Sequence, residues 1–265
     1  MDDILKRLSS SESLKYYENK EYREEINLKY KKIYVDLSNR RHVSDTSSLK
    51  FVHTLNLSNC KNVSDVTLLG SVHILNLSGC RDIMNIDALG SVYELHLSYC
   101  ENITNVTSLG SVHKLYLNGC DNITDVSALG NVHELDLSCC NGVIDVSALG
   151  NVYELSLSGC DNVTDVSALI SIYNLNLSHC DNIGDISTLR SVNILNLWKC
   201  EKIKDVGNLR NVKELILGKK MHGIHLLKKL KLLQISNNYD EKIEQQVKKL
   251  KEINKKVEIN IYSEW

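Results

Sequence analysis

Leucine returns at positions 37, 57, 77, 97, 117, 137, 157, 177, 197 and 217, a step of twenty that never slips by one residue. A second column follows three residues later at Cys60, Cys80, Cys100, Cys120, Cys140, Cys160, Cys180 and Cys200, and of the nine cysteines only Cys139 stands outside it. Periodicity this strict makes every twenty-residue unit a copy of one structural turn. It turns a 265-residue length, which alone would read as one or two domains, into one elongated array.

The unit from Val132 to Asn151 shows what one turn can build. Leu135 and Leu137 alternate with Glu134, Asp136 and Ser138, the period of a short strand with leucines on one face and polar groups on the other. Val132, Cys140, Val143, Val146 and Leu149 bring the inward set to about seven small apolar side chains, too few for one turn to bury alone. Stacked turns cover one another, with strands about 4.8 Å apart in a parallel sheet. An inserted residue would rotate every following side chain out of the core, which is why the spacing must hold.

Between strands, Asp125, Asp145, Asp165, Asp185 and Asp205 precede V-S-A-L or a close variant, the pattern of a short helical turn opened by an acidic cap. Gly70, Gly90, Gly110, Gly130 and Gly150 close that turn, where a positive φ is expected. Ile170, Arg190 and Arg210 take the same column later, so the turn is expected to change shape toward the C-terminal end.

The unit V-x-x-L-x-L-S-x-C-x-N-I-T-D-V-S-A-L resembles the leucine-rich repeat L-x-x-L-x-L-x-x-N/C-x-I, with an internalin-like tail and the cysteine column of the cysteine-containing class. The resemblance runs from Lys32 to about Asn238. It implies an α/β repeat solenoid, a leucine-rich-repeat horseshoe with a parallel concave sheet, and its short period implies short convex turns or 3-10 helices. Residues 32–238 form the array, with 1–31 a helical N-terminal cap and 239–265 a C-terminal helix-strand cap. Leu5, Leu8, Leu14 and Tyr17 are the inward candidates of the first cap; Ile243, Val247, Leu250 and Ile253, followed by the strand "VEINIYS", are those of the last. The stretch "SSSESLKYYENKEYREEIN" also resembles the tail of an F-box, although it lacks a Leu-Pro motif.

The amino terminus carries no secretory apolar run, and no segment is long enough to span a membrane. Equal spacing at inward positions reads as buried thiols in a reducing cytoplasm, with Cys139 a surface thiol. The formal net charge of −2 conceals a dipole: residues 51–198 hold 15 acidic against 4 basic side chains, and residues 199–258 hold 16 basic against 8 acidic. Lys219, Lys220, Lys228, Lys229, Lys231, Lys248 and Lys249 are either a solvated cap face or a surface for nucleic acid or an acidic protein.

Columns of identical residues supply no convergent nucleophile, base and oxyanion donor, so no enzyme is expected, and no cofactor. His53, His73, His113 and His133 stack with Tyr93, Tyr153 and Tyr173 in one column; an aromatic ladder is preferred there to a metal site, since no Cys or acidic ligand joins it. Recognition is expected from the outward strand positions, which vary most between units: Glu94, His96, Tyr116, Glu134, Asp136 and Glu154 form an acidic, aromatic patch. Trp198 interrupts a column of serines and, with Tyr173, Ile194 and Ile216, forms an apolar patch that either anchors a partner or packs under the C-terminal segment. The expected function is a monomeric protein-interaction scaffold, with an F-box-like adaptor and a nucleic-acid binder as rivals.

Overall fold

The computed structural model describes residues 4–218, 221–237 and 240–262. Lys219 and Lys220, and the expected boundary at residues 238 and 239, lie outside the described residues. The chain divides into two compact units, Met1–His133 and Glu134–Trp265.

In the first unit the strands are Leu5–Arg7, Lys32–Asp36, Thr54–Asn56, Ile74–Asn76, Glu94–His96 and Lys114–Tyr116. Each pairs in parallel with the next, and from Thr54 onward the register advances by twenty residues per strand, as in Thr54↔Ile74 and Glu94↔Lys114. The second unit repeats the arrangement with Glu134–Asp136, Glu154–Ser156, Asn174–Asn176, Ile194–Leu197, Glu214–Leu217, Leu232–Ser236 and Glu258–Tyr262. These too are all parallel and in chain order, although the step falls to eighteen at Glu214↔Leu232.

The core is the inward set read from the repeat. Val132, Leu135, Leu137, Cys140, Val143, Val146 and Leu149 are each at most 1% exposed, and the equivalent columns behave alike in the other turns. Between strands the chain makes 3-10 turns, such as Asp87–Ser91, Ser127–Asn131 and Ser147–Asn151, or plain turns as at residues 167–170. The acidic column opens them one residue earlier than a helix cap would. Asp125, Asp145, Asp165 and Asp185 each accept the backbone N–H two residues on, at 2.8–2.9 Å. The Ser167 amide beside Asp165 holds that carboxyl below its ordinary range.

The glycine column corrects one expectation. Gly110 has φ −61, so backbone handedness does not select glycine there. Proximity does: a Cβ on Gly70, Gly90, Gly110 or Gly150 would lie 2.2–2.6 Å from a backbone carbonyl oxygen of the following turn. Positive φ belongs to a different column, at the exit of each strand: Asn39, Asn59, Gly79, Tyr99, Gly119, Cys139, Gly159, His179 and Lys199, with φ between 56 and 75. Side chain and glycine alternate along part of it. A Cβ on Gly119 would lie 2.7 Å from the Tyr99 ring, and one on Gly79 would meet Asn59 at 2.4 Å, so the side chain of one turn rests on the glycine of the next.

The first cap begins with a strand, Leu5–Arg7, before helices α1 (Ser10–Glu18) and α2 (Lys20–Lys29). A capping box fixes the phase of α1: the Ser9 N–H donates to Glu12 Oε2 at 2.8 Å and the Glu12 N–H to Ser9 Oγ at 3.3 Å. That phase turns Ser13 and Tyr16 inward. The Asp36 N–H donates to Ser13 Oγ, and the buried Tyr16 hydroxyl donates to Asn27 Oδ1 at 2.7 Å. Of the four expected inward residues Leu8 is buried, Leu14 and Tyr17 are half-buried, and Leu5 is exposed. In the last cap, α3 (Glu241–Ile253) buries Ile243, Val247 and Leu250 as its spacing requires; Ile253, at the frayed end, is exposed. No helix among the described residues is long and apolar enough to cross a membrane.

Candidate functional site

On the outward strand face of the first unit, ring stacking organises the side chains. The column entering the strands runs His53, His73, Tyr93, His113 and His133, with successive ring centroids 4.6–4.8 Å apart. His113 and His133 are parallel within 3°, so their ring nitrogens lie in two separate, stacked planes. Two positions further along, His96 stacks on Tyr116 at 4.3 Å, and Glu94 Oε1 lies 2.9 Å from His96 Nε2. Three of the expected site residues are therefore one contact cluster, held by the pairing of Glu94↔Lys114 and His96↔Tyr116.

In the second unit Glu134 stands opposite Glu154 and Asp136 opposite Ser156. Like charges directly across a strand pair repel. Asp136 Oδ1 accepts from both the N–H and the hydroxyl of Ser138; Ser138 Oγ lies 2.8 Å from Ser156 Oγ, and Asn176 donates to Ser156. This network buries Ser138, a position the strand alternation assigns to the polar face. Glu154 accepts from Asn174 Nδ2 at 3.3 Å.

Tyr173 stacks on Tyr153 at 4.8 Å. Ile194 and Ile216, both half-buried, occupy neighbouring strands two positions out of register. The Trp198 ring faces Tyr262 of the last strand at 5.0 Å, and the Tyr262 hydroxyl donates to the Leu217 carbonyl. Tyr262 is the partner that repeat comparison misses, because it lies outside the periodic columns. Trp198→Ala is expected to destabilise the second unit by about 2 kcal/mol, through loss of aromatic packing. Thermal unfolding checks this, and an unchanged Tm would show that the Tyr262 contact carries no stability.

Buried thiols form a ladder behind this face. Cys60, Cys80, Cys100 and Cys120 donate to the carbonyls of Leu37, Leu57, Leu77 and Leu97 at 3.0–3.2 Å, and Cys160, Cys180 and Cys200 to those of Leu137, Leu157 and Leu177 at 2.9–3.0 Å. Burial pushes Cys80, Cys160 and Cys200 up to about 12 and Cys120 and Cys180 up to about 11. Cys139 is exposed.

Parallel strands in chain order, 3-10 turns and a leucine core backed by a cysteine ladder define a leucine-rich-repeat fold of the cysteine-containing kind. Solved structures with this fold agree. An internalin, InlF, from Listeria monocytogenes superposes with a TM-score of 0.50 at 18% identity, over 88% of this chain and 82% of that one. The functional domain of InlJ from the same organism, described as including a cysteine ladder, gives 0.57 at 18% identity over 86% of this chain; the match spans 56% of the InlJ chain. A chain of the yeast Rad7–Elc1 complex gives 0.52 at 16% identity over 80% of this chain and 71% of that one. No sequence-family model matches the chain, and neither does any curated protein sequence.

Proposed function

We propose that this chain is a non-catalytic, monomeric protein-interaction scaffold of the cytoplasm, requiring no cofactor, that binds a protein partner on the outward face of its strands. The observation that carries the reading is the contrast between the two faces. Inward columns repeat almost unchanged from turn to turn, as packing demands, whereas the outward positions vary most between turns and display Glu94, His96 and Tyr116 in one unit and Glu134, Asp136 and Glu154 in the other. The opposed carboxylates favour a basic or amide-rich partner segment. Tyr173, Ile194, Trp198 and Ile216 add apolar contact area in the second unit, with Trp198 also closing the C-terminal end.

Affinity purification from the native cell supplies the partner. Reversing charge with Glu134→Lys and Asp136→Lys is then expected to weaken its binding about tenfold or more, and because Asp136 also holds Ser138, a melting curve must show the double variant folded. If every recovered partner binds the double variant as before, this face is solvated surface.

A second reading, an F-box-like substrate adaptor for ubiquitination, has the likeness to a chain of the Rad7–Elc1 complex in its favour. It requires α1 and α2 to bind a Skp-type adaptor while Ser13 and Tyr16 stay packed on the strand behind them. A pull-down with that adaptor tests it, and absence of binding removes it.

A further inference from the structure

The end of the second unit carries a rim of cations that the strand-face reading does not use. The Val192, Val212, Leu230 and Val257 N–H groups donate to the carbonyls of Leu189, Leu209, Leu227 and Asn254, so Arg190, Arg210, Lys228 and Lys255 occupy the same position in four successive turns. Lys213 and Lys231 enter the next two strands beside them, and the Lys231 N–H donates to the Lys213 carbonyl at 2.7 Å. All six side chains are exposed, and none is in an ion pair among the described residues. Glu214, Glu252 and Glu258 are the nearest carboxylates in sequence; Glu214 and Glu258 begin strands and belong to the outward-face column, and Glu252 lies exposed on α3.

We propose that this rim binds the phosphate backbone of a nucleic-acid duplex. Its rungs follow the strand spacing of about 4.8 Å, giving a row of cations with no ion-paired carboxylate among the described residues. Protein interfaces deplete lysine at their centres and place apolar anchors there, whereas a phosphate backbone is contacted through Arg and Lys rows without an apolar centre. Arg190 and Arg210, in adjacent turns, offer planar guanidinium forks suited to phosphate oxygens. Single strands are gripped through aromatic stacking platforms interleaved with cations, and these rungs carry none; the row therefore favours a duplex read without sequence preference.

The full chain is titrated by fluorescence anisotropy with a mixed-sequence DNA duplex of about 20 base pairs, across about 50–200 mM salt. The expected result is binding whose log K falls against log salt with a slope of about −4 to −5, as four to six phosphate contacts require. Arg190→Glu with Arg210→Glu is expected to lower affinity about tenfold or more and to flatten the slope by roughly 2. Lys228→Glu with Lys231→Glu acts as an independent second variant, and Lys61→Glu, on the first unit, leaves binding unchanged. Melting curves confirm that each variant is folded. No salt-dependent binding, binding that survives both double variants, or tighter binding of the single strand or of polyglutamate than of the duplex would each overturn the proposal.

Discussion

Raising the pH from 9 to 10.5 is expected to destabilise each unit steeply, because its buried thiols lose the same proton only after unfolding. An unfolded cysteine ionises near 9, while Cys80 is pushed to about 12 and Cys120 to about 11 in the first unit, and Cys160, Cys180 and Cys200 to about 12, 11 and 12 in the second. Cys60 and Cys100 are raised by the same desolvation. The folded thiol holds its proton more tightly than the unfolded one. Its contribution is therefore fully present below the unfolded pKa and is lost as pH climbs toward the folded value. Each such thiol removes about 1.4 kcal/mol per pH unit in that window, so three per unit remove about 4 kcal/mol per pH unit. Against a typical total of about 5–15 kcal/mol, folding is exhausted within about one to four pH units. Urea unfolding at several pH values measures the slope. A variant with Cys80, Cys100 and Cys120 replaced by alanine should start less stable at neutral pH yet lose stability more slowly above pH 9. A stability that stays level from pH 9 to 10.5 would contradict burial of the ladder.

Gly90→Ala is expected to cost about 3 kcal/mol, among the largest effects available from adding one methyl group. The new Cβ would sit 2.3 Å from the Ser108 carbonyl oxygen, and that oxygen is backbone, so the whole following turn must move. Gly70→Ala meets Ala88 O at 2.2 Å and should behave alike. Gly184→Ala, where nothing lies within 4 Å, is expected to change stability by about 0.5 kcal/mol or less. Chemical denaturation of the three variants decides the matter: equal costs would mean that glycine acts through chain flexibility at these positions and not through contact with the next turn.

That pair of glycines also marks where the sequence stopped being legible. The inward columns could be read directly, since a residue such as Leu137 or Cys160 is buried by periodicity alone. The Gly90 column could be seen but not explained, because its partner is a carbonyl one turn away and the reason lies in how closely turns stack. Helix phase was hidden likewise: the Ser9 and Glu12 capping box turns Tyr16 inward, where apolar spacing favours Tyr17. At the candidate site, the His96–Tyr116 stack follows from matching columns, so it was accessible in advance. The Trp198–Tyr262 contact joins a periodic residue to one outside the array, and no spacing rule connects them. The buried Ser138 hydroxyl meets both Asp136 and Ser156, a matter of side-chain geometry beyond any polar-or-apolar pattern.

The left-handed column at the strand exits carries an evolutionary and engineering consequence. Asn59 rests on Gly79, Tyr99 on Gly119 and Cys139 on Gly159, so from Asn59 to Gly159 each side chain in this column is seated on a glycine in the next turn. Within this stretch the interchangeable module is forty residues long, although the visible period is twenty. Duplicating or deleting a pair of turns preserves every seat, whereas removing the single turn that contains Gly119 would place Cys139 where the Tyr99 ring needs open backbone. Growth of such an array by unequal exchange would therefore proceed in even steps here, and a designer lengthening it should copy turns two at a time.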